Sequence, residues 1–147
     1  MQLLQPTFVR FAAAVTLLAL VPAGSLRAAD TTAGPDAREV KALVNKALTF
    51  LKTRQNDDGS FSPRLGGPGI SALIVAGLIR NGVSPEDPLV AKTLSYLEKT
   101  IHKDGGIYDK GLANYTTSVA LLAFREANTS GKYDTVIKNA AQFLKTL

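Results

Sequence analysis

The stretch QNDDGSF, residues 55–61, decides the fold because its turn recurs later in the chain as HKDGGIY. The pairs Asp58-Gly59 and Asp104-Gly105 are 46 residues apart, and the flanking sequence repeats with them. VNKALTFLKTRQNDDGSF from Val44 aligns without a gap on VAKTLSYLEKTIHKDGGI from Val90. A fixed interval of this size is typical of repeat architectures, in which each unit is one supersecondary structure.

The repetition continues beyond the turn. ISALIVAGLI from Ile70 overlays TTSVALLAFR from Thr116 at the same offset, and VIKNAAQFLKTL from Val136 begins a third copy shifted by one more residue. Leu147 falls within the third outer helix by this alignment, before an Asp-Gly turn is reached. We therefore expect a partial copy of a longer array, with repeats at residues 38–147: 38–86, 87–133 and an incomplete 134–147.

Each unit predicts two unlike helices. The first helix is amphipathic, with Asp36 and later Asp87-Pro88 as starting signals. The second helix, ISALIVAGLI or SVALLAF, is apolar nearly all round, so it is buried on every side or lines an apolar space. The apolar stripe of the first helix follows the i, i+3, i+4, i+7 rule and comprises Val40, Leu43, Val44, Ala47, Leu48 and Leu51.

The alternation of an amphipathic helix and an apolar helix indicates two layers, with the amphipathic helices outside. An αα-solenoid or a closed α/α toroid satisfies this pattern, and the period leaves HEAT-like arrays as the rival. The fold class is all-α. At the turn, Gly59 and Gly105 supply the left-handed conformation that stops an outer helix. Phe61 and Ile107 then place an apolar side chain beneath the turn.

The first turn resembles the repeat motif of squalene and oxidosqualene cyclases, in which a basic residue precedes an aromatic-aliphatic pair, a glutamine, a glycine and usually a tryptophan. The matching residues in the two copies are Lys46, Phe50, Leu51, Gln55, Asp58, Gly59 and Phe61, then Lys92, Tyr96, Leu97, Asp104, Gly105 and Ile107. Phe61 replaces the tryptophan, and in the second copy Ile101 and Ile107 occupy the glutamine and aromatic positions.

This resemblance implies the prenyltransferase and squalene-oxidase repeat superfamily over residues 38–147. It implies an α/α toroid with an apolar cavity, here as a fragment of two helical hairpins and one further helix. By the same resemblance, Gln55 clamps the end of the neighbouring helix and the ring of Phe61 stacks on it. The alternative is a solvated glutamine beside an ordinary buried phenylalanine.

The catalytic residues of the resembling enzymes are missing from the sequence. The cyclases protonate an alkene with an Asp-x-Asp-Asp cluster, whereas this chain has only Asp57-Asp58. Because the chain has no cysteine, neither the zinc site of protein prenyltransferases nor a thioester can be assembled. The glycines at residues 66–69 lack a following Lys-Ser/Thr and predict a flexible corner rather than a phosphate loop. We expect no metal and no cofactor.

A weaker set of polar residues predicts a rim at the cavity mouth. Toroidal polysaccharide lyases place Tyr, His, Asn and Arg at such rims, which opens a glycan-active alternative. The alternative is a structural role only: His102 is a solvent-exposed residue that caps a helix end, and Asn114 or Thr116 caps the second inner helix. The candidate rim residues are His102, Tyr108, Asn114, Tyr115 and Thr116.

The N-terminus predicts export. Residues 1–29 combine Arg10, an eleven-residue apolar run too short to span a bilayer, and small residues after Pro22, the pattern of a secretory signal peptide. Residues 30–37 form a linker. Without Arg10 and Arg27, fifteen basic residues face twelve acidic ones, a formal charge of +3. Scattered charge of this size argues against nucleic-acid binding, and we expect no stable membrane span after cleavage.

Three functions remain open from the sequence. The first is an exported toroid repeat protein without its own catalytic residues, which binds further repeats or has a structural role. The second is a terpenoid cyclase or prenyltransferase-like enzyme on an apolar isoprenoid substrate, with catalytic residues outside this chain. The third is a glycan-active toroid.

Overall fold

The computed structural model describes residues 34–147, and in this part of the chain the protein is entirely helical, without a strand. The predicted all-α class is thereby confirmed. The predicted signal peptide at residues 1–29 and residues 30–33 of the linker lie outside the described residues. The five helices of the described part are α1 Ala37–Lys52, α2 Pro63–Arg80, α3 Pro88–Glu98, α4 Ala113–Ala127 and α5 Asp134–Leu144.

The predicted starting signals act as caps. Asp36 Oδ1 accepts a hydrogen bond from Arg38 N at 2.7 Å and begins α1. Asp87 Oδ1 accepts from Leu89 N at 2.9 Å, and Pro88 is the first residue of α3. Each carboxylate satisfies an N–H group that the first helical turn leaves without an intrahelical partner. The outer helices α1 and α3 therefore begin where the sequence indicates.

Helix α2 is kinked near its start. Gly67 has φ 53° and ψ −143°, so the regular part of the helix begins at Pro68. This kink lies within the predicted corner at residues 66–69, of which Pro68 and Gly69 belong to the regular part of the helix. Pro68 fits there because the first residue of a helix needs no N–H donor.

Helices α2 and α4 form the centre of the described part and run parallel, one repeat apart in register. At their C-terminal ends Arg80 Nε donates to Glu126 Oε1 at 2.8 Å, and these residues occupy equivalent positions of the two units. At their N-terminal ends Gly69 faces its equivalent, Tyr115. Where the two helices face each other, their side chains form part of the hydrophobic core. These core residues are Ala72, Val75, Ala76, Ala120, Ala123 and Phe124.

The other helices pack on this pair unequally. Helix α3 packs on α2, and α5 packs on α4. Helix α1 buries none of its residues completely, and only Leu48 and Leu51 pack against the core. The apolar stripe of α1 is therefore only partly covered, with Val40 and Leu43 exposed.

Two expectations need correction. Helix α2 leaves Leu73 exposed, so burial of this inner helix on every side is wrong, and the alternative, that it lines an apolar space, stays a prediction. Helix α5 ends at Leu144, so Leu147 does not lie within it. Two hydrogen bonds between residues three apart close the C-terminal end of α5. Lys145 N donates to Gln142 O, and Thr146 Oγ1 donates to Phe143 O. No helix in residues 34–147 combines the length and the apolar character that crossing a bilayer requires.

Candidate functional site

The candidate site comprises two turns, the first corner at residues 55–61 and the second corner at residues 101–107. In the first corner Asn56 N donates to Ser60 O at 3.0 Å and Gly59 N donates to Asn56 O at 2.9 Å. Asp58 Oδ1 accepts from both the N–H and the hydroxyl of Ser60, at 2.9 and 2.7 Å. These hydrogen bonds hold the pKa of Asp58 below its usual value, since they favour the carboxylate.

The second corner repeats this backbone arrangement. His102 N donates to Gly106 O at 2.8 Å, and Gly105 N donates to His102 O at 3.0 Å. Asp104 Oδ1 accepts from Gly106 N at 2.9 Å, as Asp58 does from Ser60. The two Asp-Gly pairs therefore build the same turn, in which the aspartate binds the N–H two residues later.

Gly59 and Gly105 are required for two reasons, their left-handed backbone conformation and their close approach to the next outer helix. Gly59 and Gly105 have φ of 93° and 88°. A Cβ atom on Gly59 would lie 2.3 Å from Lys92 O in α3, and one on Gly105 would lie 2.6 Å from Asn139 O in α5. Lys92 and Asn139 are equivalent residues of successive outer helices. Each corner thus rests on the outer helix of the following unit, at a separation that only glycine allows.

Gln55 joins the first corner to α3. Its Nε2 donates to Leu89 O and to Thr93 Oγ1, both at 2.8 Å. The Thr93 hydroxyl is fully buried and lies 2.9 Å from Gly59 O and 3.0 Å from Leu89 O. The glutamine therefore holds the first turn of the neighbouring outer helix. Sequence analysis missed Thr93, because a threonine in an amphipathic helix carries no signal of its partner.

The second corner makes the same junction with apolar side chains. Ile101 stands at the glutamine position and Ala140 at the threonine position, and both belong to the hydrophobic core. Tyr108 adds a stack, with its ring centroid 4.0 Å from that of His102 and 5.7 Å from that of Phe143 in α5. Partial burial and nearby Asp104 raise the pKa of Tyr108.

A buried hydroxyl on each inner helix anchors the end of the corner. Phe61 N donates to Ser71 Oγ, and Ile107 N donates to Thr117 Oγ1, both at 2.9 Å. The side chains of Phe61 and Ile107 are buried beneath their turns. Sequence analysis missed these anchors, although their shared offset of one repeat and their shared hydroxyl were visible in the alignment.

The remaining motif residues lie on the outer helices at different depths. Phe50 of α1 is exposed and Leu51 is half-buried, whereas their counterparts in α3 are covered further. Lys46 and its counterpart Lys92 are both exposed. Tyr96 is half-buried and Leu97 is fully buried. The motif therefore has the same spacing in both units, but its aromatic and aliphatic residues are more deeply buried in α3 than in α1.

The candidate rim residues form two groups. His102 and Tyr108 lie at the second corner, with His102 Nε2 3.0 Å from Tyr108 O. Asn114, Tyr115 and Thr116 lie in the first turn of α4, whose N-cap is Leu112, so neither alternative capping assignment holds. Among residues 34–147, no hydrogen bond or aromatic contact joins the two groups.

An open cleft of about 690 Å³ adjoins the first corner on the side of α1. Its apolar walls include Phe61, and two guanidinium groups lie among its lining residues. The guanidinium of Arg54 lies 5.1 Å from the ring centroid of Phe50. The lining comprises Phe50, Leu51, Arg54, Asn56, Phe61, Ser62, Arg64, Leu65 and Ile74.

In the described part of the chain, no three His, Cys, Asp or Glu side chains are close enough together to hold a metal ion. Comparison with protein-family models, with curated proteins and with solved structures gave no significant match. The functional argument therefore rests on the residues and geometry of this chain.

Proposed function

We propose that this chain is an exported repeat protein of the prenyltransferase and squalene-oxidase type, a squalene-cyclase-like toroid module without its own catalytic residues. Its role is to bind or to support further repeats. One observation carries this proposal: each Asp-Gly corner is built in the same way and rests on the outer helix of the next unit.

The motif residues support a structural role because the fold uses their polar groups. The Gln55 amide donates its hydrogen bonds to α3, and one carboxylate oxygen of Asp58 accepts from Ser60. An acid that protonates an alkene at neutral pH must retain its proton, which requires a raised pKa. The lowered pKa of Asp58 has the opposite direction. This carboxylate suits a turn and not proton donation.

The parallel register of α2 and α4 also supports a module of a longer array. Units that repeat the same contact between neighbours extend in one direction, and every added unit buries the open side of the last. In a toroid, this progression places the inner helices around a central space. The proposed binding role follows from the open side that such a module presents.

An incubation with isoprenoid compounds tests the noncatalytic role. The exported chain is mixed with squalene and with farnesyl diphosphate, and the products are followed by mass spectrometry. We expect no turnover. Product formation that disappears in Asp58→Asn or His102→Gln would contradict the proposal, because it would assign chemistry to residues that we place in the corners.

A second candidate function, binding of an apolar ligand with an acidic head group, is favoured by the cleft beside the first corner. Phe50, Phe61 and Ile74 offer apolar contacts, and Arg54 and Arg64 offer charge. Calorimetric titration with farnesol and with farnesyl diphosphate tests it. Saturable binding that weakens in Ile74→Gln would favour this candidate over the structural role, and Lys110→Gln, outside the cleft lining, is the matched control.

Export has its own test. Replacing Leu17 and Leu18 by arginine in the full-length chain interrupts the predicted apolar run of the signal peptide. We expect the unaltered chain to be processed and exported from a bacterial host, and the variant to remain unprocessed in the cytoplasm. Equal export of both chains would overturn the predicted localisation.

A further inference from the structure

The outer helices present equivalent residues to very different surroundings. Leu43 of α1 is 63 % exposed, whereas its equivalent Leu89 in α3 is 4 % exposed. Ala47 is exposed, whereas Thr93 in α3 and Ala140 in α5 are fully buried. The residues that differ lie on one side of α1, and the same side is covered in both later outer helices.

The structure shows what covers this side in the later helices. The first corner covers α3, where Gly59 meets the backbone carbonyl of Lys92. The second corner covers α5, where Gly105 meets the carbonyl of Asn139. By the repeat alignment, Lys46 holds the corresponding carbonyl in α1. The open side of α1 therefore has the form that twice receives an Asp-Gly corner elsewhere in this chain.

We propose that the α1 face, defined as Leu43, Ala47 and Phe50, docks the Asp-Gly corner of a helical repeat carried by another polypeptide. This inference rests on the proposed function and names its partner. The face continues an interface that already exists between successive units. A corner that docks there must have a glycine where it comes closest to α1. Its other side chains must fit against Leu43, Ala47 and Phe50.

The α1 face matches α5 more closely than α3, which specifies the kind of corner. Of its two equivalents, Ala47 is identical to Ala140, which adjoins the apolar second corner, and lacks the hydroxyl with which Thr93 binds the Gln55 amide. Phe50 corresponds to Phe143, on which Tyr108 stacks. The partner's corner therefore carries an aliphatic residue at the position of Ile101 and an aromatic residue shortly after its Asp-Gly pair.

Charge supports the same occupant. Helix α1 contains four basic residues against one glutamate, and Lys46 corresponds to Lys92, whose side chain lies beside Gly59. The corners carry aspartates, and the positive charge of Lys99 contributes to the lowered pKa of Asp58. The aspartate of such a corner and the basic surface of α1 attract each other and favour the correct register.

Neither Asp-Gly corner of residues 34–147 is available to the α1 face. The first and second corners are already seated on α3 and α5. A second copy would have to release a seated corner before donating it. A repeat on another polypeptide requires no such release.

A tandem chain tests the docking directly. Residues 34–133, which leave the second corner without α5, are joined by a flexible Gly-Ser linker to the N-terminus of the exported chain. Covalent linkage raises the effective concentration of the corner near the α1 face. We expect amide exchange in residues 43–50 of the exported chain to slow by about tenfold or more, as its opening becomes coupled to undocking.

The matched control is Ala47→Lys in the exported chain of the tandem, which blocks the face at an exposed helical position. It should return amide exchange to the rate of the single chain. A second tethered chain carrying only residues 96–109 presents the same corner without relying on the folding of the added helices. Ile101→Gln in the added corner should reduce the protection.

Three results would overturn the docking proposal. The first is unchanged exchange of α1 in both tethered chains, and the second is protection that survives Ala47→Lys. The third is a dimer of the exported chain alone that Ala47→Lys dissociates, because a second copy would then occupy the face. None of these results bears on turnover of isoprenoids, so failure of the docking remains distinguishable from failure of the proposed function.

Discussion

The two Asp-Gly corners share their backbone but differ in the side chains that hold it. Both place a glycine against a carbonyl of the next outer helix, and both use an aspartate to bind the N–H two residues on. The first corner is then secured by a glutamine and a threonine, and the second by an isoleucine and an alanine. The comparison teaches that the glycine contact defines the repeat, whereas the clamp can be polar or apolar if both partners change together.

The largest expected effect comes from filling the glycine contact. Gly59→Ala and Gly105→Ala should each destabilise the protein by about 3–5 kcal/mol, because the backbone of the next helix must move and the left-handed strain is added. Chemical denaturation followed by circular dichroism measures the loss. The two corners should respond alike.

Gly82→Ala is the control for the strain alone. Gly82 has φ 84°, close to that of the corner glycines, but a Cβ atom there would meet nothing within 4 Å. We expect a cost of about 1 kcal/mol, the penalty for a left-handed residue. If Gly82→Ala costs as much as Gly59→Ala, the close approach to α3 is not what requires the glycine.

The anchors of the corners should give the next largest effect. Ser71→Ala and Thr117→Val remove the hydroxyl that accepts from a buried N–H, of Phe61 and Ile107 respectively. Each change should cost about 1–3 kcal/mol in the free energy of unfolding, because the N–H loses its partner without gaining water. Thr117→Ser keeps the hydroxyl and should cost less than Thr117→Val; the reverse order would reject the anchor.

These anchors also show how far sequence reasoning reached. The offset of 46 residues predicted the helix order and the two turns, and local residue types predicted the caps at Asp36 and Asp87. The contact of Gly59 with Lys92 was not predictable in this way. It depends on how one unit stacks on the next, and a turn glycine looks the same in sequence whether its Cβ position is open, as at Gly82, or filled.

The different burial of the outer helices was not predictable for the same reason. Periodicity identifies Leu43 and Leu89 as equivalent apolar residues, but only the structure shows that Leu89 is buried and Leu43 is exposed. The rim stays a prediction, since His102 lies in the second corner and Asn114 in α4. Thr93 was missed because its partner Gln55 lies a full helix away along the chain.

A smaller effect should distinguish the two clamps. Gln55→Ile and Thr93→Ala convert the first corner to the apolar chemistry of the second. Each single change should cost about 1–2 kcal/mol, and the double variant should cost less than their sum by about 1 kcal/mol, because the two residues share a hydrogen bond. A double-mutant cycle in urea measures this coupling.

The second corner supplies the reciprocal cycle. Ile101→Gln should destabilise the protein because it places an amide in the core without a partner, and Ala140→Thr should partly restore stability in the double variant. Strict additivity in both cycles would show that the clamp residues act independently, contrary to the comparison.

The smallest expected effect is the pH dependence of the first corner. The hydrogen bonds from Ser60 lower the pKa of folded Asp58 below its ordinary value of 3.8. Their contribution to stability is therefore present above the unfolded pKa and is lost as the pH falls through the folded pKa. The difference in unfolding midpoint between the wild type and Asp58→Asn should shrink between pH 7 and pH 3, and a difference that stays constant or grows would contradict this assignment.

The repeated seating of a corner on the next outer helix can be observed directly by nuclear Overhauser effects in the isotopically labelled protein. We predict cross-peaks from the Hα protons of Gly59 to protons of Lys92, and from those of Gly105 to protons of Asn139. Both contacts must be seen, because the account makes them equivalent. Absence of either contact in a folded chain would contradict the stacking of one unit on the next.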